Sequence, residues 1–179
     1  FSQMQTEGVP PDLITFVCTL KACGDVGAKE KGLELHAEIE RKGFSRQNLS
    51  VCNTLVNMYA KCGLILEAQK MFESLNVRDV VSWNALMTGY VELGDSETVF
   101  QSFDTMLQQG FKPDEVTFLC ILNAFSHSGL LDSAQKYFEV MVREYGIVAD
   151  IEHKNCMLDL VARAGRLDEA FAMLERDLF

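Results

Sequence analysis

The sequence predicts an all-α fold, a solenoid of stacked helix-turn-helix repeats. A column of glycines, a column of small residues and a recurring spacing carry that expectation. Five stretches align with one another: Leu13-Ile14-Thr15-Phe16, Leu49-Ser50-Val51-Cys52, Val80-Val81-Ser82-Trp83, Glu115-Val116-Thr117-Phe118 and Ile151-Glu152-His153-Lys154. Fourteen residues on from each start stands a glycine, namely Gly27, Gly63, Gly94, Gly129 and Gly165. Glycine makes up about 7% of residues on average, so five in one column mark a repeat. Five residues further lie Gly32, Ala68, Val99, Ala134 and Ala170. Four more lead to His36, Phe72, Phe103, Phe138 and Leu174, mostly large and apolar.

Residues 1–12 read as the tail of an earlier unit. The next unit, 13–48, starts behind Asp12, turns at Gly27 and continues through Gly32 and His36. In 49–79, Leu55, Val56, Tyr59 and Ala60 follow helical spacing, Gly63 supplies a left-handed stop, and Glu67 to Leu75 resumes the period. Units 80–114 and 115–150 repeat the arrangement, and 151–179 starts another that stops before its second helix is closed. The chain thus reads as an interior slice of a longer solenoid. One helical hairpin cannot bury its apolar face alone, whereas stacked hairpins share a continuous core. The small residue in each second helix lets paired helices approach closely.

Composition excludes several classes. The chain has 179 residues, 48% hydrophobic and 23% charged, with only 3 Pro, which is an ordinary globular balance. No apolar run approaches the ~20 residues a membrane helix needs. None of the 6 cysteines sits in a C-x-x-C pair, so a disulfide scaffold or structural zinc site is not expected, and a reduced compartment fits. Cys18, Cys120 and Cys156 share the sixth position of their units and read as small core residues, and Met58, Met87 and Met157 as core fillers. The formal charge of −10 argues on its face against a nucleic-acid binder. However, the first helices of the five units are together nearly neutral, so the acid load sits mainly on second helices, loops and ends.

The run Val80-Val81-Ser82-Trp83-Asn84-Ala85-Leu86-Met87-Thr88-Gly89-Tyr90, closed by Gly110-Phe111-Lys112-Pro113-Asp114, resembles a pentatricopeptide repeat rather than a tetratricopeptide one. Leu20-Lys21-Ala22-Cys23 with Gly32 and His36-Ala37 is similar to the long repeat of the plant organellar subclass that rotates long, short and standard units. Asn53-Thr54-Leu55-Val56-Asn57-Met58-Tyr59-Ala60-Lys61-Cys62-Gly63 resembles its short repeat. The stretch Asp159 to Ala170 resembles the short repeat that closes such arrays. The resemblance implies a right-handed α-solenoid that binds single-stranded RNA sequence-specifically, one base per repeat.

In that family the fifth and last residues of each repeat read the base edge, and the second residue packs on the base face. Carried over, the resemblance pairs Asn53 with Asp79, Asn84 with Asp114, Val17 with Asn48, and Leu119 with Asp150. Asn155 is the fifth residue of the last unit. The flanking positions are Ile14, Ser50, Val81, Val116 and Glu152, of which Ser50 and Glu152 depart from the apolar preference. Asn carries an acceptor and two donors on a short arm, and ionised Asp only accepts, so the pair suits a pyrimidine edge with a nearby donor, as in uracil N3–H. Two such pairs in succession imply a UU step. Val17 and Leu119 cannot hydrogen-bond a base, so their units should discriminate weakly.

Structural roles stand beside these. Asp12, Asp79, Asp114 and Asp150 each precede a helix start, where N-caps belong. Asn53, Asn84 and Asn155 are harder to explain structurally, since Asn is a poor helix former. Lys61 and Arg163 occupy equivalent thirteenth positions, suited to weak phosphate contact or simply to the helix C-terminal dipole. A groove that is not basic predicts weak RNA affinity with a shallow salt dependence.

Longer members of the subclass often end in a cytidine-deaminase-like domain, whose zinc chemistry needs H-x-E and C-x-x-C. His36-Ala37-Glu38 matches the first and nothing matches the second, so His36 is expected to pack between helices. No catalytic constellation, cofactor motif or metal-ligand set emerges, and the chain is not expected to be an enzyme. The resemblance points to C-to-U editing or processing of a mitochondrial or chloroplast transcript, the chemistry coming from another domain or partner. The rival expectation is a protein-binding solenoid whose long units 13–48 and 115–150 dock multiple organellar RNA editing factors.

Overall fold

The computed structural model describes residues 1–44, 48–166, 168 and 170. Ten helices and no strand occur among the described residues. The chain divides into two compact units, Phe1–Leu93 and Gly94–Phe179. The first holds α1 (Ser2–Thr6), α2 (Leu13–Val26), α3 (Lys29–Lys42), α4 (Leu49–Lys61), α5 (Ile65–Glu73) and α6 (Val80–Glu92). The second holds α7 (Ser96–Gln108), α8 (Glu115–Ser128), α9 (Leu131–Arg143) and α10 (Ile151–Arg163). In the first, α2 packs on α4 and α4 on α6, with α3 and α5 forming the other layer against them. In the second, α8 packs against α7, α9 and α10. Each is thus a stack of helical hairpins, the repeat architecture that the glycine column predicts.

Local chemistry explains where the helices stop. The five column glycines have φ between 66° and 76°, a left-handed conformation in which an L side chain is strained. At Gly27 the reversed backbone N–H bonds back to the carbonyl oxygens of Cys23 and Gly24, satisfying the α2 end. Gly43, Gly110 and Gly146 adopt the same conformation after α3, α7 and α9, a second punctuation that the repeat alignment did not single out.

The small-residue column is buried throughout: Ala68, Val99 and Ala134 are fully covered and a Cβ on Gly32 would strike Met58 of α4. A close approach also comes at Gly89 of α6, where an added Cβ would lie 2.6 Å from Ala60 Cβ and 3.0 Å from Ile65 Cδ1. Overpacking costs about 1–3 kcal/mol and the better helix propensity of alanine returns about 1 kcal/mol. With Ala60 Cβ only 2.6 Å away the overpacking cost falls toward the upper end, about 2–3 kcal/mol, so Gly89→Ala is expected to lower stability by a net ~1–2 kcal/mol in urea denaturation. An unchanged midpoint would mean that α4 and α6 can part at no cost.

Phe16, Trp83 and Phe118 share the fourth position of their units and are all buried. Trp83 meets Phe72 of α5 edge-on with ring centroids 4.7 Å apart. In the second unit Phe125 touches Phe100 and Tyr137, and Phe118 lies between Phe103 and Tyr145. Met58, Met87 and Met157 are buried as core fillers. The cysteine column needs correcting. Cys120 is buried and Cys156 half-buried, but Cys18 is exposed because it lies one turn from the exposed Ile14, on a face of α2 that no helix covers among the described residues. His36 is half-buried, its ring edge-on to Tyr59 and Nδ1 2.5 Å from Tyr59 Oη. Leu174, and with it most of the second half of 151–179, lies outside the described residues.

Candidate nucleic-acid interface

The five first helices α2, α4, α6, α8 and α10 share one device at their N-termini. Asp12, Asn48, Asp79, Asp114 and Asp150 each take extended backbone and accept the N–H two or three helical residues on. That satisfies backbone donors which otherwise have no partner, and it places one polar side chain of each unit at the mouth of the next helix. Ser82 and Thr117 complete reciprocal capping boxes, their hydroxyls accepting the backbone N–H of Asp79 and Asp114, each at 3.2 Å.

Asn53 and Asp79 lie 26 residues apart and meet. Asn53 Nδ2 donates to Asp79 Oδ1 at 3.0 Å, and Ser82 Oγ lies 2.7 Å from Asn53 Oδ1. Asn53 is 5% exposed, so its amide is held in this cluster and not extended into solvent. Asn84 of α6 is equally buried, and Asp114, its expected partner, caps α8 in the second unit. Val17 is half-buried on α2, and Asn48 accepts Val51 N–H at 3.2 Å. Leu119 is half-buried on α8, and Asp150 binds His153. Asn155 is exposed on α10.

The flanking positions share a property that packing does not explain. Ile14, Val81 and Val116 are exposed by 72%, 56% and 42%, although each begins a helix with a well-buried face. Ser50 and Glu152 at the same register are exposed too. An apolar side chain left to water at the same helical position of each of these repeats suits contact with a flat aromatic ligand.

The cations are already engaged. Lys61 Nζ lies 2.6 Å from Asp25 Oδ1 of α2, and Arg163 pairs with Asp159 on its own helix while donating to Ser126 Oγ at 2.7 Å. Phosphate contact by either would compete with a carboxylate.

Several carboxyls are held below their ordinary value. The Thr15 hydroxyl and backbone N–H do this for Asp12, the His153 backbone N–H and ring for Asp150, and the Arg163 guanidinium for Asp159. Burial pushes Asp79 up, but hydrogen bonds from Ser82 and Asn53 outweigh it and leave the group lowered. A lowered folded-state pKa contributes stability above the ordinary aspartate value of 3.8 that disappears as pH falls through the folded value. The melting temperature should be flat from about pH 7 to 5 and fall below about pH 4 as the caps protonate. A melting temperature unchanged at about pH 3 would show that these caps contribute little.

Sequence reasoning missed Ser82, Thr117 and His153. The signal was present as a hydroxyl three residues after the capping Asp in Asp12-x-x-Thr15, Asp79-x-x-Ser82 and Asp114-x-x-Thr117. In the last unit a buried histidine takes the place, with Nδ1 2.6 Å from Asp150 Oδ1 and Nε2 2.9 Å from the Glu115 carbonyl. Among the described residues no group of three or more His, Cys, Asp or Glu side chains is placed to hold a metal ion.

Known proteins share the sequence repeat and the fold. A PPR repeat family model matches residues 78–127, and a PPR repeat model matches 50–80, 116–145 and 153–176. A putative pentatricopeptide repeat-containing protein of Arabidopsis thaliana is 40% identical over 174 residues, covering 97% of this chain and 23% of its own length. A chloroplastic relative from the same plant is 38% identical over 98% of this chain and 35% of its own, and a mitochondrial one 40% identical over 98% and 28%. The chain thus spans about a quarter to a third of these relatives. The crystal structure of PPR10 in complex with an 18-nt psaJ RNA element superposes with a TM-score of 0.85 at 27% identity, over 98% of this chain and 26% of that one. The PPR domain of Arabidopsis thaliana PRORP1, solved with tRNA, shares the fold at a TM-score of 0.63 and 19% identity, covering 88% of this chain and 84% of its own. Family models, relatives and helical-repeat architecture agree: the chain belongs to the pentatricopeptide repeat family.

Proposed function

We infer that the chain binds single-stranded RNA, reading about one base per repeat through the fifth and last residues of each unit. The observation that carries this reading is the contact between Asn53 and Asp79, which sets a donor-bearing amide against an acceptor-only carboxylate at the boundary between two repeats. Uracil offers a carbonyl acceptor beside its N3–H donor, and these match that pair. The second-position residues Ile14, Val81 and Val116 each offer apolar surface for the face of a base. With Asn84 and Asp114 as the following pair, the target carries a UU step opposite 49–79 and 80–114. Val17 with Asn48 and Leu119 with Asp150 accept bases with little discrimination, and Asn155 begins the next reading position.

The alternation of long, short and standard units supports the plant organellar editing subclass. The array then positions a transcript for C-to-U editing or related processing in a mitochondrion or chloroplast, the location that the names of several relatives carry. The chain itself performs no chemistry in this reading. Fluorescence anisotropy with short RNAs that differ only in UU against GG tests it. Tighter binding to UU is expected, and because Lys61 and Arg163 are paired with carboxylates, the salt dependence should be shallow. Equal or absent binding to both RNAs would overturn the reading and favour docking of an accessory protein on the long units.

A further inference from the structure

The groups at the Asn53–Asp79 boundary leave few options for hydrogen placement. Asp79 Oδ1 accepts Ser82 N–H at 2.8 Å and Asn53 Nδ2 at 3.0 Å, and Ser82 Oγ lies 2.8 Å from the same oxygen. Among the described residues Oδ2 takes none. A carboxylate cannot donate, so the nitrogen side of the Asn53 amide must face Asp79. That turns Asn53 Oδ1 toward Ser82 Oγ, 2.7 Å away. Ser82 Oγ already receives the Asp79 backbone N–H at 3.2 Å, and its single proton is shared between Asn53 Oδ1 at 2.7 Å and Asp79 Oδ1 at 2.8 Å. The amide plane is therefore anchored at both ends. One side of its carbonyl faces the Ser82 hydroxyl, and the second N–H of Asn53 and Oδ2 of Asp79 are left over from the cluster.

We propose that Ser82, the third residue of the repeat that follows, is a specificity-determining positioning residue for the base read by Asn53 and Asp79. It holds the carbonyl end of the Asn53 amide, so that the amide is kept with its N–H side beside Asp79 and offers the base its donor there. A donor next to an acceptor matches the carbonyl and N3–H of uracil. Without the hydroxyl the amide keeps one anchor, can turn about its terminal torsion, and can offer its oxygen to the exocyclic amine of cytosine. The proposal rests on the RNA-reading role of Asn53 and Asp79 and adds to it a side chain that need not touch the base.

The test uses the full chain, its Ser82→Ala and Ser82→Thr variants, and RNAs identical except for UU, CU or UC at the target step. Threonine is a fair rescue because Thr117 already makes the same reciprocal cap on Asp114. Ser82→Ala should lower the preference for U over C about 3- to 10-fold at one of the two positions, the effect of one hydrogen bond. The preference at the neighbouring position should hold, and Ser82→Thr should restore the first. Lost thermal stability with both preferences intact would reduce Ser82 to a helix cap and overturn the proposal. The positioning itself can be read without RNA, from the side-chain 15N order parameter of Asn53. It should fall in Ser82→Ala and recover in Ser82→Thr, and an unchanged value would also overturn the proposal. If the wild-type chain shows no base preference while the order parameter responds as expected, the RNA-reading role has failed and the positioning role has not.

Discussion

Phe118→Ala is expected to cost about 3–5 kcal/mol, the range for truncating a fully buried aromatic ring. The side chain is fully covered on α8, with its ring 6.2 Å from Phe103 of α7 and 5.1 Å from Tyr145 beyond α9. Truncation forfeits the transfer free energy of the ring, two edge-on aromatic contacts worth about 0.5–1.5 kcal/mol each, and the packing around the space left behind. The ring bridges two successive hairpins, so collapse into the void would require both to shift together. Urea denaturation of the variant checks the expected loss. A loss below about 1 kcal/mol would show that the second unit repacks freely and that its aromatic contacts are not what holds it.

Asp79 carries the second large effect, and two substitutions separate its roles. Asp79→Ala removes the α6 cap, its bond to the Ser82 N–H, worth about 1 kcal/mol, and strips the acceptor from the buried Asn53 amide at about 1–2 kcal/mol, for a total of ~2–3 kcal/mol. Asp79→Asn keeps an equivalent capping oxygen, so its melting temperature should stay close to wild type. It nevertheless replaces an acceptor-only group by one that can also donate, so the preference for uracil over cytosine at the aligned nucleotide should shrink. A normal melt with relaxed base choice assigns Asp79 both functions. A normal melt with unchanged base choice in Asp79→Asn assigns it to capping alone and removes it from the reading pair.

Much of the architecture was legible because it is written in local chemistry. A left-handed stop needs glycine, a helix start favours Asp or Asn, and both recur at fixed offsets, so Gly27 through Gly165 and Asp12 through Asp150 announced the helices. Burial at the fourth position followed from the same periodicity, which placed Phe16, Trp83 and Phe118 in the core. Cys18 misled because a shared column says nothing about which helix faces a neighbour covers. The wiring at the candidate interface was hidden for a related reason. Asp79 read as a local cap, and nothing in the spacing showed that it would close, together with Ser82, over Asn53 of the preceding repeat.

The sequence by itself determined that the chain is a helical repeat, where the first helix of each unit begins and stops, and which residue types recur at each register. Those properties depend on backbone conformation and on contacts within a few residues. The tertiary structure decided that Asn53 is gripped at both ends of its amide, that Lys61 and Arg163 already have carboxylate partners, and that Ile14, Val81 and Val116 remain open to water. The grip on Asn53, the pairing of Lys61 and the uncovered apolar residues depend on how one repeat settles against the next, and a repeat pattern read along the chain does not contain that geometry.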